Sequence, residues 1–149
     1  MITVEPANPK DAAPAALLAQ SHALMNAMFP AGACHYLDLD ALCRDNIRFF
    51  AARDGATVLG TGALALHDGY GEVKSMFTDE AGRGKGVAAA MLRMIEDTAR
   101  DAELPLLRLE TGTGLDAAHR LYYRFGFKDC APFGSYDAST HSIFMEKPL

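Results

Sequence analysis

The feature that most constrains the fold of this sequence is a glycine-rich turn between an apolar run and a long helical pattern. The run covers residues 73–78, the turn reads Arg83-Gly84-Lys85-Gly86-Val87-Ala88, and the helical pattern covers 87–100. A strand, a glycine turn and a helix start together form an anion-binding site, because free backbone N–H groups meet the positive end of the helix dipole. The two glycines let a phosphate approach the backbone, and the arginine and lysine add positive charge. The segment predicts a pyrophosphate site and therefore a nucleotide-derived cofactor.

The rest of the chain divides into strands and helices that predict a mixed sheet covered by helices on both faces. Apolar runs and alternation indicate strands at 2–6, 48–53, 57–66, 72–78, 106–111, 127–131 and 142–147. Helical spacing indicates helices at 12–28, 35–45, 87–100 and 117–125. Asp54-Gly55 is a hairpin signal between two of the strands. On the third helix, Glu96 is expected to face solvent.

Composition limits the classes of protein to which the chain can belong. Its 149 residues are 50% hydrophobic and 22% charged, which predicts one globular domain over 1–149. A net charge of −5 argues against nucleic acid as the main partner. No apolar run reaches membrane-spanning length, and no signal peptide is expected. Three cysteines, Cys34, Cys43 and Cys130, match no metal framework, which predicts a reducing cytoplasm and no metal.

The position of the glycine turn disagrees with the two familiar nucleotide-binding folds. A dinucleotide G-x-G-x-x-G follows the first strand of an alternating series, whereas this turn follows a hairpin meander. The G-x-x-x-x-G-K-[ST] spacing fails as well, because Asp79 stands at its first glycine and Gly86 follows Lys85. Both familiar nucleotide-binding folds are therefore poor matches.

Two sequence blocks carry a resemblance to a known family. Arg83, Gly86 and Ala88 fill the fixed positions of a Q/R-x-x-G-x-G/A signature, and Leu121-Tyr122-Tyr123-Arg124-Phe125-Gly126-Phe127 matches a helix that ends in L-Y-x-x-x-G-F. In this order, with a strand between them, the blocks resemble the GNAT N-acetyltransferases over essentially the whole chain. Segments 72–77, 109–112 and 144–149 look like a branch of small bacterial single-domain members. The resemblance implies the GNAT fold, with a mixed, mostly antiparallel sheet of about six to seven strands.

The resemblance also implies a reaction and a set of site residues. The donor would be acetyl-CoA, its pyrophosphate held by the turn and its pantetheine arm paired with Met76, Phe77 and Thr78. Tyr122 would protonate the leaving thiolate, and transfer to an amine would be direct, within a ternary complex. A core aromatic is the other interpretation of Tyr122. One family residue is missing, since Leu115 stands where many members carry a cofactor-contacting asparagine.

The general base is left open by the sequence. Amines are mostly protonated at neutral pH, so a carboxylate or an imidazole is needed near the acceptor. Glu72 begins the cofactor strand, but a solvated residue at a strand edge would look the same. Glu110 lies in an apolar strand, where it would act either as a base or as a structural partner of Arg108 or a loop amide. Three histidines are further options: His35, His67 and His119.

The acceptor and the assembly state are the least constrained features. Phe133 and Tyr136 would line an acceptor pocket or pack the final hairpin, and packing is favoured. The acceptor is expected to be a small-molecule amine, and the acidic composition fits a cationic one. A non-catalytic module that binds acyl-CoA is the alternative function. The family resemblance also allows a homodimer through an exposed strand edge.

Overall fold

The computed structural model describes residues 1–149 as a seven-stranded sheet with four helices packed on it. The strands are β1 (Ile2–Pro6), β2 (Ile47–Asp54), β3 (Thr57–His67), β4 (Tyr70–Thr78), β5 (Leu106–Gly112), β6 (Lys128–Asp129) and β7 (Ser142–Pro148). The helices are α1 (Ala12–Met28), α2 (Leu39–Leu42), α3 (Val87–Asp101) and α4 (Asp116–Arg124), with one 3₁₀ turn at Glu80–Gly82. The strand order is β1-β2-β3-β4-β5-β7-β6. Only β4 and β5 run parallel, so the predicted mixed, mostly antiparallel sheet is confirmed.

Helices cover both faces of the sheet, as the side chains of β3 show. Leu64 belongs to a cluster of 16 buried residues that includes residues of α3 and α4. Its neighbour Ala63 belongs to a second cluster, with Leu18 of α1 and Leu42 of α2. Because consecutive strand residues point to opposite faces, the two helix pairs lie on opposite sides of the sheet.

Two glycines of β3 allow α3 to lie very close to the sheet. A Cβ atom on Gly60 would lie 2.6 Å from Val87 Cγ1, and one on Gly62 would lie 2.5 Å from Met91 Cγ. Both distances are far below van der Waals contact, so no larger residue fits unless these side chains or the helix that carries them move. This close packing fixes the first turn of α3 beside the sheet.

Strands β4 and β5 separate soon after they meet. They pair only at Gly71–Leu107 and Glu72–Arg108, although β4 continues to Thr78. In the same stretch, the register between β3 and β4 shifts at a bulge. Ser75 lies in this bulge with φ +56°, and Thr61 Oγ1 donates a 2.8 Å hydrogen bond to its carbonyl. A bulge bends its strand, so it contributes to the opening between β4 and β5.

Two predicted elements are shorter in the structure. The helix expected over 35–45 is reduced to α2, because the Asp38 side chain caps a start at Leu39 by accepting from Ala41 N–H at 2.8 Å, and β2 is already extended at Ile47. The strand expected over 127–131 contains only β6, which pairs with β7 at Glu146 and Met145. The helix predicted at 12–28 has the bounds of α1.

The expectation that Glu96 faces solvent is wrong. Glu96 is 6% exposed, and its Oε1 accepts a 2.6 Å hydrogen bond from Lys147 Nζ of β7. Arg100, one turn further along α3, lies 3.5 Å from its other oxygen. The buried carboxylate is therefore paired, as burial of a charge requires.

Candidate active site

The glycine turn before α3 has a backbone that other residues rarely adopt. Gly84 and Gly86 have φ values of +76° and +78°, and Gly86 directly precedes the first residue of the helix. Neither glycine has any protein atom within 4 Å of the place where a Cβ would lie. Their N–H groups make no backbone hydrogen bond. Exposed Arg83 and Lys85 flank them, so the turn presents unpaired donors and positive charge to solvent. Anion binding there stays a prediction.

A small cavity of about 130 Å³, here called the inner cavity, lies where β4 and β5 separate. Ser75 and Met76 of β4 form one side and Glu110 of β5 the other, while Tyr122 of α4 also lines it. Phe77 and Thr78 continue β4 beyond the cavity, paired with β3 alone. The structure thus places Met76, Glu110 and Tyr122 around one space.

Tyr122 is both a core residue and a lining residue of the inner cavity. It is 6% exposed, and its ring packs edge-on against Phe127 with centroids 5.8 Å apart. Burial, with a smaller contribution from the negative charge of Glu110, raises the pKa of Tyr122 above its ordinary value of about 10. The phenol therefore keeps its proton at neutral pH. The two interpretations of this residue, packing and a polar tip, are compatible.

Glu110 is held by a serine of the neighbouring strand. Ser142 Oγ of β7 donates a 2.8 Å hydrogen bond to Glu110 Oε2. Arg108 is not its partner. Its Nε instead lies 3.7 Å from Oε1 of Glu146, with which it forms an ion pair. Pairing with Arg108, one of the structural partners left open for Glu110, is not found, since β7 brings the Glu146 carboxylate closer to the arginine.

Glu72 is buried and fully engaged, so its interpretation as a solvated residue at a strand edge is wrong. It is 5% exposed. Its Oε1 lies 3.0 Å from His67 Nε2, and its Oε2 accepts a 2.5 Å hydrogen bond from the Tyr136 hydroxyl. Lys74 Nζ lies 3.5 Å from the same oxygen. Three partners surround the carboxylate and compensate for its burial.

Tyr136 joins this network in a way that sequence reasoning missed. Its hydroxyl accepts from Lys74 Nζ at 2.8 Å while it donates to Glu72. Burial, and then the charge of Glu72, raises the pKa of Tyr136. Its ring also packs on Phe133 and Phe144. The preference for packing is thus confirmed for Phe133, which is 7% exposed. For Tyr136 packing describes only the ring, because the hydroxyl bonds to Glu72 and Lys74.

A larger cavity of about 870 Å³, here called the outer cavity, opens beside this network on the face of the sheet that carries α1 and α2. Glu72 and Tyr136 line it. It shares lining residues with the inner cavity, namely Ala33, His35, Tyr36 and Lys74. The two cavities therefore adjoin, and a molecule in each would meet near Lys74.

The three candidate histidines are in different surroundings. His35 lines both cavities, and its carbonyl accepts a 2.8 Å hydrogen bond from Lys74 Nζ. His67 lines the outer cavity, stacked on Tyr70 with centroids 4.7 Å apart. His119 lines neither cavity, and its Nε2 lies 2.9 Å from the Gly112 carbonyl.

Comparison with known proteins identifies the family. The model of the acetyltransferase (GNAT) family matches residues 19–127 of the chain. The chain belongs to the GNAT acetyltransferase family. Its fold and family therefore agree with the resemblance found in the sequence, and the protein is an acyltransferase.

Relatives of this GNAT member support the assignment over its whole length. A protein of Azospirillum brasilense named IAA acetyltransferase is 41% identical over 99% of this chain and 98% of its own. YedL, an N-acetyltransferase of Escherichia coli K12 without an assigned substrate, is 41% identical over 80% of this chain and 77% of its own. A solved structure from Klebsiella pneumoniae, described as a candidate acyl-CoA N-acyltransferase, superposes with a TM-score of 0.84 at 32% identity, covering 100% of this chain and 98% of that one.

One position of this GNAT member departs from the family signature in a way that the structure describes. Leu115 occupies the N-cap of α4 without any side-chain hydrogen bond, and it lines the inner cavity. A leucine offers no polar contact there, so any such contact must come from other groups.

No helix of the chain is long and apolar enough to cross a membrane. No group of three or more His, Cys, Asp or Glu residues is arranged to hold a metal ion.

Proposed function

We propose that this enzyme moves the acetyl group of acetyl-CoA to a primary amine of a small molecule, directly, in a complex that holds both substrates. The observation that carries the proposal is the junction of the two cavities. The inner cavity lies on the strand that leads to the glycine turn, and the outer cavity is large enough for a small acceptor. A donor along β4 and an acceptor in the outer cavity would meet at the shared residues near Lys74.

The donor would be held by backbone rather than by side chains. The free N–H groups of Gly84 and Gly86 and the start of α3 suit a pyrophosphate, with Arg83 and Lys85 as added charge. The open edge of β4, over Met76, Phe77 and Thr78, suits the amide groups of a pantetheine arm, which would pair with it as an extra strand does. Val87 and Ala88 begin the helix that supplies the dipole.

The bulge of β4 is the part of the site suited to the thioester carbonyl. When the amine attacks, the carbonyl oxygen gains negative charge, which an oriented N–H group stabilises. A bulge leaves a residue unpaired in the ladder, so it frees backbone groups for such a role. Ser75, in the bulge, also has a buried hydroxyl without a hydrogen-bond partner. A buried polar group of this kind is satisfied when a ligand binds beside it.

Tyr122 is our assignment for the acid. The amine nitrogen forms a bond to the carbonyl carbon, the carbon–sulfur bond breaks, and the leaving thiolate takes a proton from the phenol. The surplus proton of the new amide nitrogen then restores the phenol, directly or through water. Its position in the inner cavity fits that role. The raised pKa keeps the phenol protonated in the free enzyme.

Glu110 is our assignment for the base, in preference to Glu72. Glu110 lines the same cavity as Tyr122, and the only hydrogen bond to its side chain falls on one of its two oxygens. Glu72 has both oxygens engaged, by His67 on one side and Tyr136 on the other. A carboxylate with an open oxygen is better placed to take the proton of an acceptor ammonium, directly or through water. Glu72 would instead shape the acceptor end of the site.

The name of the Azospirillum brasilense relative supports acetyl as the transferred group. That protein is named for acetyl transfer, and it aligns with essentially all of this chain. The acceptor in its name is a property of that protein. For this enzyme we propose only an amine that the outer cavity can admit.

The test is the Tyr122→Phe variant, assayed for thiol release from acetyl-CoA with a broad panel of amines. Loss of the acid should lower kcat by about 100-fold or more while acetyl-CoA affinity changes little. Tyr123→Phe is the matched control, because Tyr123 is exposed and its hydroxyl contacts only Asp129 at the surface. Unchanged turnover of Tyr122→Phe would remove this residue from the mechanism. Absence of thiol release from the wild type with every amine would instead favour a non-catalytic acyl-CoA-binding module.

A further inference from the structure

Two residues that line the outer cavity, both exposed to solvent, carry charges of opposite sign that no ion pair of the protein offsets. Besides two imidazoles, its charged lining residues are Arg44, Glu72, Lys74 and Asp137. Glu72 and Lys74 pair with each other at 3.5 Å. None of the nine ion pairs of the structure includes Arg44 or Asp137. These two residues are therefore free to bind a charged ligand.

The two free charges belong to different ends of the cavity. Asp137 directly follows Tyr136, whose hydroxyl bonds to Glu72 of β4, so its loop segment lies over β4. Arg44 lies just after α2, and its carbonyl accepts from the first N–H of β2, that of Ile47. Strand β3 separates β2 from β4. Two strand spacings amount to about 10 Å, so the ends are well apart.

Resting on the proposed function, we propose that the acceptor carries a carboxylate as well as its primary amine, and that Arg44 binds the carboxylate. The amine would point toward Asp137 and the inner cavity, where the acetyl group arrives. A guanidinium binds a carboxylate through two parallel hydrogen bonds, which gives both affinity and orientation. Because the two ends are well apart, several bonds must separate the amine from the carboxylate. An ω-amino acid or a dipeptide meets this requirement, whereas a single α-amino acid is too short.

The local charges outweigh the overall acidity of the chain as a guide to the acceptor. A net charge of −5 by itself favours a cationic molecule. A polyamine in this cavity, however, would place one of its ammonium groups against Arg44, which is in no ion pair that could offset the repulsion. An acceptor with one charge of each sign matches both ends. Arg44 thus becomes a residue that sets specificity without taking part in the chemical step.

The experiment compares matched acceptors at saturating acetyl-CoA, with thiol release as the readout. The pairs are 5-aminopentanoate and its amide, and Gly-Gly and its C-terminal amide, with glycine as the short reference. We expect each carboxylate to have about a 10-fold higher kcat/KM than its amide, in line with a charge-assisted hydrogen bond. Arg44→Gln should remove most of that preference, by raising KM for the carboxylates far more than KM for the amides. Arg44→Lys should keep part of it.

The control is Arg48→Gln, a change of the same type four residues further along the chain. Arg48 is exposed, its guanidinium contacts the carbonyls of Asp45 and Ile47, and it lines neither cavity. This variant should retain the preference. Equal use of acids and amides by the wild type, or an equal loss for both in Arg44→Gln, would overturn the assignment. Failure of every amine to release thiol would instead contradict the proposed function itself, so the two failures are distinguishable.

Discussion

At the scale of single residues, the proposal for donor binding depends on the glycine turn. Gly86 has φ +78° and directly precedes α3, and no protein atom lies near its missing Cβ. The conformation, not the space inside the protein, therefore requires a glycine there.

Replacing Gly86 by alanine should affect both stability and donor binding. A Cβ in the left-handed region costs roughly 1–2 kcal/mol, which should appear as a lower Tm. The added methyl group and any relaxation of the turn should also raise KM for acetyl-CoA several-fold. Gly55→Ala is the matched control, because Gly55 has φ +59° in the β2–β3 hairpin and is equally uncrowded. If both variants lose stability and neither changes KM, the turn does not bind the donor.

At the scale of elements, two side chains of the loop between β6 and β7, Phe133 and Tyr136, pack on the sheet. The Tyr136 hydroxyl joins Glu72 and Lys74 of β4, while its ring packs on Phe133 and Phe144. The loop forms one wall of the outer cavity. The acceptor side of the site thus depends on a contact between segments that are distant in sequence.

Tyr136→Phe should loosen this wall and leave the donor side intact. Removing the hydroxyl leaves a buried carboxylate and a nearly buried ammonium each without one partner, which costs about 1–3 kcal/mol. We expect a lower free energy of unfolding in urea and a higher KM for the acceptor, with little change in KM for acetyl-CoA. Tyr123→Phe, which loses an exposed bond to Asp129, should change stability by less than about 0.5 kcal/mol. A change in the acetyl-CoA KM as large as that in the acceptor KM would contradict this division of the site.

The elements that the sequence predicted well are those that depend on local patterns. The bounds of α1 and the start of α3 at Val87 follow from apolar spacing and from the glycines before α3. The helix expected over 35–45 failed because tertiary contacts decide that segment. Lys74 Nζ holds the carbonyl of His35, the Asp38 side chain caps a start at Leu39, and β2 begins at Ile47, so the helix is confined between these contacts.

At the scale of the whole molecule, the site lies where the only parallel pair of an otherwise antiparallel sheet separates. This opening brings β4, β5 and α4 around the inner cavity and joins it to the outer one. The donor residues predicted from the sequence blocks all lie within short segments, which local patterns can single out. Local patterns could not predict the partners of Glu72 and Glu96. Tyr136 is 64 residues from Glu72, and Lys147 is 51 residues from Glu96. Such pairs are set by the topology of the sheet rather than by local spacing.

The most direct test of the central claim is an initial-rate study of thiol release with acetyl-CoA and a working amine acceptor, varied together. Direct transfer across the junction of the two cavities requires both substrates to be bound at once. Double-reciprocal plots should therefore intersect, and the N-acetylated amine should form in equal amount to the free thiol. Parallel lines, with an acetylated enzyme isolated in the absence of the amine, would contradict the account.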